Sequence, residues 1–365
     1  MAKKGCRICS LVLLLLLALT IPVWGETERE DGYYTLVNEE GEVICRTSHQ
    51  VGKGDQYLSA DNYLYRVEEV KEDTAHLRLV RKVNLEAAIV PSLAARIGTA
   101  LSQLLARGEE YVQGENRPVA IYHTHSDESY VPTDGSSSVH GNGGILRVGD
   151  SMAQTLQERG SNVVHDKTSH EPHDAMAYDR SRRTAVELLK KNPIALIDIH
   201  RDAVPPDEYA EEINNTAVTK AQLVVGRQNP NMKANEAFAQ QVKAEVDKKY
   251  PGFIKGIFYG KGKYNQDLAP RMLLVELGAH QNSREEAERG AAIFATAAQN
   301  VLTRAGASNR AVGGGSTRAL LWIIGLAIVG IGIYSAINGG LGRSGAKIGG
   351  TTGGTGTDGE DPKEE

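Results

Sequence analysis

An α/β domain with a largely parallel or mixed sheet, preceded by a small β-rich module, is the fold class this chain predicts. Three observations predict it. From Pro118 onward, apolar strand-like runs alternate with amphipathic helical stretches, the pattern of a three-layer α/β domain. From Tyr33 to Lys82, short β-rich runs (YYTLV, VICRTS, YLYRVEEV, AHLRLVRKV) are separated by turn signals such as NEEGE and GKGDQ, which read as hairpins. Polar side chains able to do chemistry stand directly after three of the apolar runs, where connecting loops converge in such a sheet.

In chain order, residues 1–25 open with MAKKGCRICS, run into LVLLLLLALTIPVWG, and read as a secretory signal peptide or an uncleaved N-terminal membrane anchor. Residues 26–84 form the β-rich module, and 85–115 a helical connector that Pro91 breaks early. Over 116–304 the pattern predicts strands at Val119–Tyr122, Asn162–His165, Ile194–Ile199, Ala221–Val225, Ile254–Tyr259 and Met272–Glu276. Helices are predicted near Leu146–Arg159, Tyr178–Lys191, Lys233–Lys249 and Arg284–Thr303. Residues 305–318 are a Gly/Ser-rich tether. The segment 319–337 is apolar and uncharged, and at ~1.5 Å per residue it is long enough to cross ~30 Å of hydrocarbon as a transmembrane helix. Arg343 and Lys347 follow it, which places that end in the cytoplasm and the α/β domain on the extracytoplasmic side of the cell membrane. The Gly-rich tail, 338–365, reads as disordered.

Composition excludes several functions. With 41 Lys+Arg against 46 Asp+Glu the net charge is -5, so no basic footprint for nucleic acid is present. Three cysteines, two of them in the first ten residues, build no disulfide framework, and Cys45 reads as a small buried apolar residue. The stretch GNGGILRVG lacks both a Walker lysine and the G-x-G-x-x-G pattern, which argues against nucleotide binding. Without a G-x-S-x-G elbow, there is no serine-hydrolase nucleophile signature.

The three strand ends carry the chemistry. His125 and Glu128 follow VAIY, His200 ends LIDIH, and Glu276 ends MLLVE. Two imidazoles and a carboxylate hold zinc while leaving a coordination position open, and a further carboxylate nearby can move a proton. His125, Glu128 and His200 are therefore the candidate metal ligands, and Glu276 the candidate base. Each has a plainer reading alone: H-x-x-E occurs by chance, His200 can be a hydrogen-bonded strand-end histidine, and Glu276 can pair with Arg201. Their coincidence at strand ends favours the joint reading. His123 reads as a supporting partner of a ligand or a substrate contact, and His165, His170 and His173 as residues of a solvated loop.

The set IYHTHSDESYVP, HDKTSHEPHDAMAYDRSR, IDIHRDA and VELGAHQNSREEA, in that order, resembles the stage II sporulation protein P family. That family is grouped with zinc N-acetylmuramoyl-L-alanine amidases of the amidase-3 type. The resemblance covers residues 116–304. It implies an amidase-3-like domain that cuts the amide between N-acetylmuramic acid and L-alanine in peptidoglycan, with peptide cross-link cleavage in some members. It assigns zinc to His125, Glu128 and His200 and catalysis to Glu276. In the wider amidase group the glutamate ligand lies on the following helix; here that helix offers only Glu158, which leaves Glu128. The resemblance further implies septal wall remodelling or engulfment during sporulation, with sporulation proteins D and M as partners at the membrane. A D,D-endopeptidase on the same fold and a non-catalytic wall-binding scaffold are the alternatives.

Overall fold

Thirteen strands and four helices longer than two turns organise the described residues. The structure is a computed structural model and describes residues 29, 32–85, 117–174 and 176–303. The strands are β1 (Tyr34–Val37), β2 (Val43–Thr47), β3 (Gln56–Ser59), β4 (Tyr63–Lys71), β5 (Thr74–Lys82), β6 (Val119–Tyr122) and β7 (Val163–His165). They continue with β8 (Ala195–Asp202), β9 (Ala210–Ile213), β10 (Thr216–Thr219), β11 (Ala221–Gly226), β12 (Ile254–Gly260) and β13 (Met272–Ala279). The helices are α1 (Ile145–Glu158), α2 (Ala177–Lys190), α3 (Met232–Asp247) and α4 (Arg284–Thr303). The sequence does not predict the β9–β10 hairpin, which is too polar to show an alternating pattern, or β3, whose four residues begin at the last residue of the turn signal GKGDQ.

All strands but β9 and β10 form one 11-stranded sheet in the order β2-β1-β5-β4-β3-β12-β11-β13-β8-β6-β7. It is mixed. β6, β7, β8 and β13 run parallel to one another, whereas β11 is antiparallel to β13 and parallel to β12. Side chains alternate between faces along a strand, and the core divides accordingly. Val119, Ile121, Ile197, Ile199, Leu273 and Val275 pack with Met152 of α1, Phe238 of α3 and Phe294 of α4. On the opposite face Ala120, Tyr122, Leu196 and Met272 pack with Ala185 and Leu188 of α2. The result is an α/β domain with helices on both faces of a mixed sheet.

The β-rich strands are part of this sheet. β3 pairs antiparallel with β12, Gly256 opposite Ser59 and Tyr259 opposite Gln56. Tyr57 donates from its hydroxyl to Lys255 O at 2.8 Å. Leu36, Cys45, Tyr57, Val67 and Leu77 then share a core with Val224, Phe258 and Leu274, on the same face as α2. Cys45 is buried there, and burial pushes its thiol pKa up to about 12.

The membrane expectations are corrected. Among the described residues no helix is long and apolar enough to cross a membrane. Helices α1 to α4 each bury one face and leave polar residues on the rest of their surface, the pattern of helices that cover a sheet. The two apolar segments read as anchor and transmembrane helix, 1–25 and 319–337, lie outside the described residues, as do residues 86–115 of the connector, the tether and the tail. The transmembrane helix, the cell-membrane localisation and the membrane partner therefore have no element in this structure. Sporulation proteins D and M, expected only at such a membrane, are withdrawn with them.

The β3–β12 seam is tight at Gly256. A Cβ there would stand 2.2 Å from Tyr57 Oη and 2.7 Å from Leu58 O, and the second of these is backbone. Gly256→Val is expected to destabilise the chain by about 1–3 kcal/mol through overpacking, read as a lowered urea midpoint; an unchanged midpoint would show that the seam is loose.

Candidate metal centre and acid–base site

Because β6, β8 and β13 are parallel, their carboxyl ends lie along one edge of the sheet. Antiparallel β11 brings its first residues to the same edge. In register, Tyr122 faces Asp198, His200 faces Glu276, and Glu276 faces Gln222. Alternation puts all five side chains on the α2 face, since Leu196 and Met272 point there. His200, Gln222 and Glu276 are fully buried.

Residues 123–130 leave β6 as a loop, yet every one of them is buried. A buried loop must satisfy its polar groups, and this one does so against β8 and the GNGG segment. Thr124 donates from its backbone N to Asp198 Oδ1 at 2.8 Å and from its hydroxyl to Oδ2 at 2.5 Å. Tyr130 donates to Leu277 O at 2.7 Å. Gly143 N donates to Ser126 O at 3.1 Å and Ile145 N to Glu128 O at 3.0 Å. A Cβ on Gly143 would stand 2.5 Å from the backbone of residues 126–128, so glycine here serves close backbone approach, not anion binding.

Glu128 is held at both oxygens, with Oε1 3.3 Å from His200 Nδ1 and Oε2 accepting from Arg201 N at 2.8 Å. On its other side His200 Nε2 lies 3.1 Å from Asp198 Oδ1. Burial alone would lower the pKa of His200, but the Asp198 and Glu128 carboxylates hold it well above the ordinary imidazole value. Burial would likewise raise the pKa of Asp198, and His200 with Thr124 instead holds it below the usual carboxylate range. The His125 ring lies 5.3 Å from that of His200, centroid to centroid, nearly perpendicular to it. His125 Nδ1 is buried with no hydrogen-bond partner among the described residues, and desolvation, with His173 and His200 nearby, holds this imidazole neutral by lowering its pKa well below the ordinary value.

The structure thus brings His125, Glu128 and His200 together, and sets Glu276 beside His200 on the next strand. The group that meets metal-ligand spacing among the described residues is a different one that shares His125: atoms of His125, Asp127 and His173 all lie within 4.8 Å of one another. His173 stacks on His125 with centroids 4.0 Å apart, and its Nδ1 lies 3.1 Å from Asp127 Oδ1. The loop read as solvated is therefore partly an inward-facing wall: His170 is buried between His123 O and Thr184 Oγ1 at 2.7 and 2.8 Å. His123 goes the other way. His123 keeps the side of Ile121 and meets Ile199 O at 3.0 Å and His165 Nε2 at 2.8 Å, on the face of the sheet opposite His200. Gly149 of α1 makes room for that pair, since a Cβ there would be 2.6 Å from both Nε2 atoms.

Sequence reading missed two further groups. Gln222 is fully buried beside Glu276 with neither amide atom hydrogen-bonded among the described residues. His49, from the β-rich strands, has its Nε2 2.9 Å from Glu276 Oε1; the signal was a third strand-end histidine, after VICRT.

A family model described as stage II sporulation protein P matches residues 35–299. The chain belongs to the stage II sporulation protein P family. Stage II sporulation protein P of Bacillus subtilis (strain 168) is 34% identical over 197 residues, 49% of each chain, so the chain spans about half the length of this relative. Among solved structures, N-acetylmuramoyl-L-alanine amidase AmiC2 of Nostoc punctiforme is 17% identical with a TM-score of 0.31, over 52% of this chain and 99% of that one. The N-acetylmuramyl-L-alanine amidase Ami1 of Mycobacterium smegmatis is 16% identical with a TM-score of 0.36, over 52% and 99%. Both TM-scores are too low for either similarity to carry weight. The family match begins inside β1, so it takes in the β-rich strands that the resemblance read from 116–304 leaves out.

Asp127 provides a pH signature. Burial would raise its pKa, but hydrogen bonds from His173 and Ser138 lower it from 3.8 to about 2. A carboxylate with a depressed folded pKa adds stability above its ordinary value and loses it as pH falls toward the folded one. Unfolding free energy is expected to decline between pH 3.8 and about 2, and Asp127→Asn is expected to flatten that stretch of the curve; a variant that keeps the wild-type slope would assign the decline elsewhere.

Proposed function

We propose that this stage II sporulation protein P family member hydrolyses the amide between N-acetylmuramic acid and L-alanine in peptidoglycan, with zinc bound, in wall remodelling during sporulation. The observation that carries the reading is the buried strand-end set itself. Isolated ionisable groups at this depth cost several kcal/mol each, and they are found where chemistry requires them. An amidase-3-type architecture is part of the same proposal.

The residues fit a cation. His125 Nδ1 is a buried, neutral, unpartnered donor, and Glu128 and His200 supply a carboxylate and a second imidazole beside it. Nitrogen and carboxylate donors of this kind suit zinc. Asp198, paired with His200 Nε2, is the carboxylate that orients a ligating imidazole. Asp127 and His173 lie within reach of His125 and supply further donors on the loop side. A zinc ion held by these residues would supply polarisation of the scissile carbonyl and a lowered pKa for water.

The chain's own residues account for the rest. Glu276, held on a central strand, accepts the proton of the attacking water and returns it to the departing L-alanine nitrogen. The walls formed by Tyr178, His173 and the buried 123–130 loop limit water around the reacting groups, which strengthens each electrostatic contact. Tyr178 stands edge-on to His125 at 5.7 Å and stacks on His200 at 6.3 Å between centroids.

Muropeptide analysis of peptidoglycan digested with the full chain tests the reading. Intact stem peptides freed from glycan are the expected product; peptides left on the glycan with cross-links cut would make it an endopeptidase, and no product would make it a binding protein. His200→Ala is expected to lose both zinc and activity. Glu276→Gln is expected to keep zinc and lose activity by about 100-fold or more, and full activity in either variant would overturn the assignment. His200 carries a proton held by its carboxylate neighbours, and a cation must displace it. Zinc affinity, followed by titration calorimetry, is therefore expected to weaken on acidification, with proton release on binding.

A further inference from the structure

The side chain of Glu276 is held by a residue from the β-rich strands. His49 Nε2 lies 2.9 Å from Glu276 Oε1, with the two side chains 2% and 0% exposed. An ionised carboxylate only accepts hydrogen bonds, so the contact requires the tautomer with hydrogen on Nε2. The His49 ring is set on both sides: it stacks on Phe258 at 5.5 Å and 15° and meets the edge of Tyr264 at 6.0 Å and 84°.

The backbone that carries His49 is anchored to β8. Ser48 donates from its N and its hydroxyl to Asp202 Oδ1, at 3.0 and 2.7 Å, and Tyr209 donates to Oδ2 at 3.0 Å. Asp202 is two residues past His200 on the same strand. The strand that carries His200 therefore also fixes the segment that carries His49, and both converge on Glu276.

We propose that His49 is a positioning residue for the reaction, fixing the plane and direction of the Glu276 carboxylate through Nε2; the inference rests on Glu276 being the proton-transferring group. A carboxylate turned by an ångström from its water loses much of its effect, whereas substrate contacts and zinc, held by other side chains, are untouched. His49 thus acts on turnover rather than on binding.

The full chain and three variants test this. His49→Leu removes the donor, His49→Phe removes it while keeping an aromatic ring on Phe258, and His49→Gln puts an amide N–H near the place of Nε2. The leucine and phenylalanine variants are expected to lose about 10- to 100-fold in kcat on peptidoglycan, with KM and bound zinc unchanged, in assays run well below the melting temperature of each variant. The glutamine variant is expected to recover most of the loss. Unchanged kcat in His49→Leu and His49→Phe would overturn the inference and leave the amidase reading standing. Equal losses in all three variants, or losses that track a lowered melting temperature, would make His49 structural and overturn it too. A wild-type chain that binds no zinc and cuts no peptidoglycan would overturn the amidase reading, and this inference with it.

Discussion

His200 sits fully buried between two carboxylates, Asp198 on its own strand and Glu128 on the loop after β6. Few arrangements are more costly to desolvate, and the surrounding structure is organised around meeting that cost. Asp198 takes two hydrogen bonds from Thr124 as well as the imidazole, and Glu128 takes the backbone N–H of Arg201. These contacts close the 123–130 loop onto β8 and place His125 beside His200. The fold of the loop and the assembly of the donor set are therefore one event. Loss of either carboxylate would leave one nitrogen of the buried His200 ring without its partner.

The mixed sheet contributes the remaining constraint. A wholly parallel sheet would present only strand ends at the site edge. Antiparallel β11 brings a strand beginning there, and with it Gln222. Beyond it β12 accepts β3, which continues the sheet into the β-rich strands and lets their core join the α2 face. Arg46, Glu208 and Lys255 tie the same junction, at 2.7 and 3.0 Å. Burial would raise the pKa of Glu208, but Lys255 and Arg46 keep it below the usual carboxylate range. The junction is thus ionic and partly buried, and it lies just before Thr47, Ser48 and His49 in the chain.

Much of the α/β part was legible because its signals are local. The helices and strands predicted over 119–303 fall within a few residues of their observed places, since each shows the period of its class and ends on polar or glycine residues. The four residues singled out at strand ends also came from a local rule, that loops after parallel strands converge. What failed were inferences that need three dimensions. His123 keeps the Ile121 side that a continued strand gives it, but β6 ends at Tyr122 and His125, two residues on, turns instead toward Tyr178 and His200. Asp127 and His173 lie 46 residues apart and meet only because the 166–174 loop folds back over His125. The apolar segments at the chain's two ends read as membrane spans by length and hydropathy alone, and no described helix supports such a span.

His49 exposes the deeper limit of reading by segments. Its motif, a histidine just past an apolar strand, is the same one that pointed to His125 and His200, yet it was passed over because hairpins at the start of a chain look like a module with its own core. They have no such core: Tyr57, Leu36 and Val67 pack with Phe258 and Leu274 of the central sheet. Once the sheet is continuous, a strand end in the β-rich segment is a strand end of the whole domain, and the convergence rule applies to it equally. The β-rich strands then need no separate purpose. They extend the sheet past β12 and bring the His49 imidazole to within 2.9 Å of the Glu276 carboxylate.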